Sequence, residues 1–473
     1  MVFSTYKFIF LFFPVVFVGY HLLRCTQKPV WVKLWLIGAS LTFYGLGQPD
    51  FLGVFVVSIL LNYIILLGIS KGKNIWLRRL LLCIAVVWNI GLLIYFKYSN
   101  FLIDNINFVL RTKIPELSVI LPIGISFFTF QILAYVITYY REECELASLV
   151  DFAVFITFFP QLIVGPVVNE DEIFPQIAGS RLLLFDKVNI YRGIILFSYG
   201  CAKKVLLANP MIDYATMFYG GNVTDASVIQ AWMGVLSYTL AYYFDFSGYI
   251  DMARGLGCLF GVNLPINFDS PYKARDFGDF WRRWNITISR FFNEYIFHNV
   301  FHFGDGLFKM CIAVLATFFV SGVWHGAGWH YILWGVVNGV LVCIANIRVL
   351  RERKQLPVWL GIALTFVVGM LVRVLFDSNN TAQALLVYQK MFDWNSLMQV
   401  RTFLSSIWLF IQENVKLSWT IIISLIIIFV FPNTNSISER EEFYWKDALI
   451  AGVLLACSLL YMTSVSTFLY FNF

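Results

Sequence analysis

The chain has 473 residues, of which 59% are hydrophobic, 18% aromatic and only 13% charged, with a mean hydropathy of +0.75. Soluble domains are roughly 45–50% apolar and about 25% charged, so this composition excludes a soluble globular protein and a disordered chain and points to a bilayer. The net charge of +6 follows from basic residues in the loops between apolar segments and calls for no nucleic-acid partner.

Apolar stretches long enough to span or enter a bilayer recur along the whole length, about ten to twelve of them. The first, FIFLFFPVVFVGYHLL, lacks a basic leader and a small-residue cleavage site, and reads as a retained helix. Two basic loops follow, RCTQKPVWVK (Arg24, Lys28, Lys33) and SKGKNIWLRR (Lys71, Lys73, Arg78, Arg79), separated by two spans and hence on one side. A third marker is NIRVLRERK, with Arg348, Arg351, Arg353 and Lys354. By the positive-inside rule these loops are cytoplasmic and the N-terminus faces out.

Residues 1–140 read as plain spans with short loops. Residues 150–345 interleave polar, aromatic, Gly and Pro residues with the apolar runs and form the expected catalytic core. Within them, 262–306 drops in hydropathy and carries Lys273, Arg275, Arg282, Arg283 and Arg290 among many aromatics. That mixture suits interfacial helices at the cytoplasmic face. From 357 to 473 the pattern returns to spans, and the whole reads as one integral membrane domain with no internal repeat.

Two of the five histidines fall in SGVWHGAGWH (321–330), between the apolar runs LFKMCIAVLATFFV and YILWGVVNGVLVCIA. The Gly-Trp cluster is expected to break the helix, and irregular backbone at membrane depth lies in buried protein or lines a wet cavity. His325 is therefore a candidate general base. His330, five residues on, points elsewhere on any helix and reads as a wall residue. His298 and His302 share a helical spacing without a third ligand, so no metal site is expected. The eight cysteines are scattered and indicate neither disulfides nor zinc. Asp245 and Asp251 sit in apolar sequence, and Asp251 is three residues from Arg254, a spacing that suits an ion pair.

Four ordered motifs carry a family resemblance. FFPQLIVGPVV (158–168), YFDFSGYIDMARGLG (243–257), DFWRRWNITISRFFNEYIF (279–297) and SGVWHGAGWHYILWG (321–335) resemble the membrane-bound O-acyltransferase family, and most of all its alginate O-acetyltransferase branch. RVLFDSNNTAQAL (373–385) looks like an altered form of a further branch motif. The resemblance implies an all-α polytopic bundle of about eleven spans, with re-entrant and interfacial helices around a central funnel. It places the family's histidine on His325. Asn285 stands where the bacterial branch usually carries a second histidine, so a two-histidine relay at these positions is excluded.

The resemblance further implies an enzyme of the inner membrane that O-acetylates an exported or cell-surface polysaccharide, alginate or similar. His325 would act as base and Asn285 would hold the donor thioester or its oxyanion. Arg282 and Arg283, with Lys273, Arg275, Trp281 and Trp284, would meet acetyl-CoA, or a carrier-protein thioester, as donor substrate; no tightly bound cofactor is expected. The implied partner is a periplasmic SGNH-type acetyltransferase or polysaccharide-modification complex, beside membrane lipid. The alternatives are D-alanyl transfer to teichoic acid, and a polysaccharide transporter or flippase without acyl transfer.

Overall fold

The computed structural model describes residues 2–184, 186–302, 304–351, 356–393, 400–438, 440, 442, 444–462 and 469, with the side chains of 400–403 excepted. Arg353 and Lys354, and most of the terminal FLYFNF, lie outside these residues. Among the described residues there is no β-strand, only an isolated bridge between Phe268 and Trp284. The expected all-helical membrane architecture is what the chain adopts.

The main helices in chain order are α1 (Phe13–Arg24), α2 (Pro29–Gly47), α3 (Leu52–Lys71), α4 (Ile75–Leu93), α5 (Ser99–Leu110), α6 (Ile125–Tyr140), α7 (Leu149–Thr157), α8 (Glu170–Ile177) and α9 (Lys187–Ala202). They continue with α10 (Asn209–Gly220), α11 (Val228–Leu259), α12 (Phe277–Arg283), α13 (Ile286–Phe292), α14 (Leu307–His325), α15 (Trp329–Leu350) and α16 (Val358–Asp377). The last are α17 (Thr381–Met391), α18 (Val400–Glu413), α19 (Val415–Phe429) and α20 (Trp445–Tyr461). By length and apolarity six described helical segments can cross a membrane, or seven if the pair at Leu404–Phe429, bent by 102°, is one broken span. The other apolar segments are shorter or carry polar residues.

The packing divides the chain into two compact units. The first comprises 1–200, 249–265 and 440–453. Its core is aromatic: Phe3, Phe8, Phe43 and Phe159 are fully buried against one another, with ring centroids 5.0–6.5 Å apart. Lys33, expected as a loop marker, is buried and ion-paired to Asp151. Arg254 directs its Nε to the Leu264 carbonyl at 3.3 Å.

The second unit, 201–248, 266–439 and 454–473, holds all the candidate site residues. Its centre is the antiparallel pair α14 and α15, joined by a tight break. The two helices touch backbone to backbone: a Cβ on Gly335 would lie 2.3 Å from the Phe318 carbonyl oxygen, and one on Gly322 2.5 Å from that of Tyr331. Small residues permit such approach where helices cannot be driven together by water. Asp245, an unexplained carboxylate in the sequence, is paired at 2.6 Å with Lys204, both side chains essentially inaccessible. The Leu469 backbone N–H donates to the other Asp245 oxygen at 2.8 Å.

Candidate active site

α14 ends at His325, Gly326 and Gly328 are extended, and α15 begins at Trp329. The break expected from the Gly-Trp cluster thus falls at the histidine itself. His325 is 9% exposed, and three rings surround the imidazole: Trp324 at 4.5 Å, Trp334 at 4.9 Å and Phe376 at 5.1 Å.

Asn285 sits between two short helices. The chain leaves α12 in extended form at Trp284, and Asn285 takes a left-handed conformation (φ 45°) before α13 starts. Asparagine tolerates this region better than most residues. Asn267 fixes the turn: its carbonyl accepts from Ile286 N–H at 3.0 Å, and its side-chain oxygen accepts from the Thr287 N–H and hydroxyl, both at 3.0 Å. These bonds satisfy donors that the start of α13 would otherwise leave buried and unpaired. Asn285 is 3% exposed, and its Oδ1 has no hydrogen-bond partner among the described residues. A buried acceptor without a partner is costly and marks a place where a ligand's donor can supply the bond.

His325 and Asn285 line one cavity of about 520 Å³, together with Trp281, Arg282, Trp284, Arg290 and Ser321. The sequence set five of these together, while Ser321, one turn before His325, and Arg290 add polar groups to the same wall. Trp281 is held by Nε1 donation to Asn338 at 3.2 Å, and Trp284 stacks on Tyr242 (5.9 Å, 10°) and Phe280 (5.5 Å, 16°).

The remaining basic candidates are placed elsewhere. Arg283 donates through Nε to Asp279 at 2.9 Å and through a terminal nitrogen to the Asp269 carbonyl at 3.3 Å, which ties it to its own loop. Lys273 donates to the Phe431 carbonyl at 2.7 Å. Arg275 borders a separate apolar groove with Phe277, Leu341 and Arg348. Arg282 differs from these: its side chain is 70% exposed and 4.0 Å from Asp279. His330 is buried against Tyr331, ring centroids 4.1 Å apart, and is not part of the cavity wall. His298 contacts Asn293 at 3.1 Å, and His302 lies 3.7 Å from Asp305, whose carboxyl Lys309 holds below the usual carboxylate range.

Behind the cavity lies a buried ion pair that sequence reasoning did not find. Arg373 donates to Asp377 at 2.8 Å, and its guanidinium carbon lies 3.7 Å from the Tyr242 ring centroid and 5.2 Å from that of Phe376. Only the (i, i+4) spacing in RVLFD could have signalled it.

An amide and an imidazole thus line one cavity of a helical membrane protein. The profile of the MBOAT, membrane-bound O-acyltransferase family, matches residues 51–376, and the chain belongs to that family. It is an O-acyltransferase. The chain is 35% identical to a peptidoglycan O-acetyltransferase of Helicobacter pylori, across 100% of this chain and 98% of that one. It is 34% identical to a probable alginate O-acetylase of Azotobacter vinelandii, covering 83% and 79% of the two chains. A teichoic acid D-alanyltransferase of Streptococcus thermophilus is 28% identical over 50% of this chain and 59% of its own length.

Proposed function

We propose that the protein transfers an acetyl group from a cytoplasmic thioester, acetyl-CoA or a carrier-bound acetyl, towards a polysaccharide of the cell envelope, with His325 as general base. The observation that carries this reading is the single cavity that His325 and Asn285 both line. The imidazole takes the proton of the acceptor hydroxyl as its oxygen attacks the thioester carbonyl. The asparagine N–H donates to the oxygen on which negative charge develops. The carbon–sulfur bond then breaks, the thiolate receives the proton from His325, and an ester and a free thiol leave.

Arg282 and Arg290 line the cavity and would meet the donor's phosphates in this reading, whereas Arg283 and Lys273 are bonded to other groups and Arg275 borders a separate groove. The near-complete mutual coverage with the peptidoglycan O-acetyltransferase favours peptidoglycan over alginate as the polymer. The immediate acceptor is a hydroxyl of the sugar or of a periplasmic SGNH-type partner that completes the transfer. The protein lies in the inner membrane with its N-terminus outside. The test is acetyl transfer from acetyl-CoA by the full chain in proteoliposomes, wild type beside His325→Ala. Equal turnover in the two would remove His325 from the chemistry, and movement of polymer without acyl transfer would replace the reaction by transport.

A further inference from the structure

Arg275 borders a groove of about 220 Å³ between α15 and α16 that shares no wall residue with the His325 cavity. On α15 the wall residues Leu341, Ile344 and Arg348 recur at helical spacing, and on α16 Gly361, Leu364 and Val368 do the same. Each helix thus gives the groove one face, over about 10 Å at 1.5 Å per residue. The groove is charged at one end. α15 ends at Leu350 and α16 begins at Val358, so Arg348 and Gly361 stand at that same end. Arg275 joins them there, because a Cβ on Gly361 would lie 2.8 Å from its carbonyl oxygen. Both arginines are exposed. The one carboxylate among the described wall residues is Asp276, whose Oδ1 accepts from the Asp279 N–H at 2.8 Å and caps α12. Away from that end the wall is apolar apart from the buried Thr365, and Ile344 and Leu364 are 50% and 45% exposed.

We propose that this groove is a binding site for an anionic phospholipid, with Arg275 and Arg348 on the phosphodiester and an acyl chain along the α15–α16 seam. Both helices are long and apolar enough to cross a membrane, so the open seam between them meets lipid. Arg348 belongs to the basic NIRVLRERK segment, which lies on the cytoplasmic side in the orientation proposed above, where anionic headgroups concentrate. Charge and apolarity follow each other along the groove as they do along a lipid. Two guanidinium groups against one capping carboxylate leave the headgroup end with an excess of positive charge, and arginine meets phosphate oxygens through paired N–H donors. A zwitterionic headgroup brings its own cation and gains less there. A soluble phosphate leaves the apolar seam unfilled. The proposal holds whichever reaction the His325 cavity performs.

The experiment is native mass spectrometry of the full chain in detergent, titrated with phosphatidylglycerol or with phosphatidylcholine. The readout is the ratio of lipid-bound to lipid-free protein within each spectrum, which does not depend on the yield of protein. Wild type should retain phosphatidylglycerol in preference to phosphatidylcholine. Arg275→Gln combined with Arg348→Gln should lower phosphatidylglycerol binding roughly tenfold or more, the scale of two basic residues at an anionic surface, and leave phosphatidylcholine binding in place. Leu364→Trp, which narrows the seam with both arginines intact, should weaken binding as well. Lys73→Gln combined with Arg79→Gln removes the same charge from another basic loop and should keep the wild-type ratio. No lipid preference in the wild type overturns the proposal, as does unchanged binding in the double arginine variant or in Leu364→Trp. Equal loss in the Lys73 and Arg79 variant replaces it by general surface attraction, and displacement of the lipid by glycerol phosphate at comparable concentration replaces it by a free-phosphate site.

Discussion

Arg373 and Asp377 form an ion pair inside the second unit, 2.8 Å apart, with the Asp377 side chain wholly inaccessible and that of Arg373 13% exposed. The pair joins the supports of both candidate catalytic groups. Through Tyr242 the guanidinium backs Trp284, the neighbour of Asn285; through Phe376 it backs His325.

Breaking a buried pair strands one charge and costs about 3–5 kcal/mol, whereas replacing both partners by apolar groups is often close to neutral. Arg373→Met and Asp377→Leu alone should each lower the thermal midpoint strongly, and the double variant should recover most of the loss. Thermal unfolding of the purified proteins measures this. A double variant as unstable as the sum of the two singles would refute a mutual interaction.

Asn285 offers a cleaner test with glycine than with alanine. Alanine in the left-handed conformation costs about 1–2 kcal/mol of backbone strain, which glycine avoids. Asn285→Gly should therefore keep the wild-type melting temperature while kcat falls roughly 10²–10³-fold, the scale of a lost oxyanion donor. If kcat stays within twofold of wild type, the amide serves only the turn.

The two adjacent arginines should separate. Arg282→Ala, and Arg290→Ala beside it, should raise the donor KM about 10–100-fold, as expected for lost hydrogen bonds to charged groups. Arg283→Ala should leave KM in place and lower stability instead, because its partners are Asp279 and the Asp269 carbonyl. Initial-rate kinetics against donor concentration decides the matter, and equal KM effects at 282 and 283 would reject the assignment.

A methyl group at Gly335 has nowhere to go, with the Phe318 carbonyl oxygen 2.3 Å from its position. Gly335→Ala should cost about 1–3 kcal/mol through overpacking and push α15 away from the helix that ends at His325. Turnover should fall at temperatures where the variant is still folded. Full activity with unchanged stability would mean that the crossing adjusts freely.

Much of this was legible in the chain because it is local. The four motifs identify the family, and the Gly-Trp cluster marks the break that ends α14 at His325. Arg282 and Arg283 look alike in sequence, yet consecutive residues on a helix diverge by about 100°, so one reaches the cavity and the other reaches Asp279. The partners of Asp245 and Arg254 were not legible. The Arg254 Nε goes to a carbonyl ten residues on, and Asp245 meets Lys204, forty-one residues before it. Asn267 was missed because its work is to hold the backbone after Asn285, a role that no residue type announces.

The bond from the Leu469 amide to Asp245 spans 224 residues of chain. During synthesis the carboxylate enters the bilayer with Lys204 already made, but its second oxygen waits until Leu469, 224 residues later, has been added. Membrane insertion of the YFDFSG segment and the completion of its polar contacts are thus separate events in time. Nascent chains released before residue 469 would carry a half-satisfied charge in the membrane, a defect that quality-control proteases can recognise.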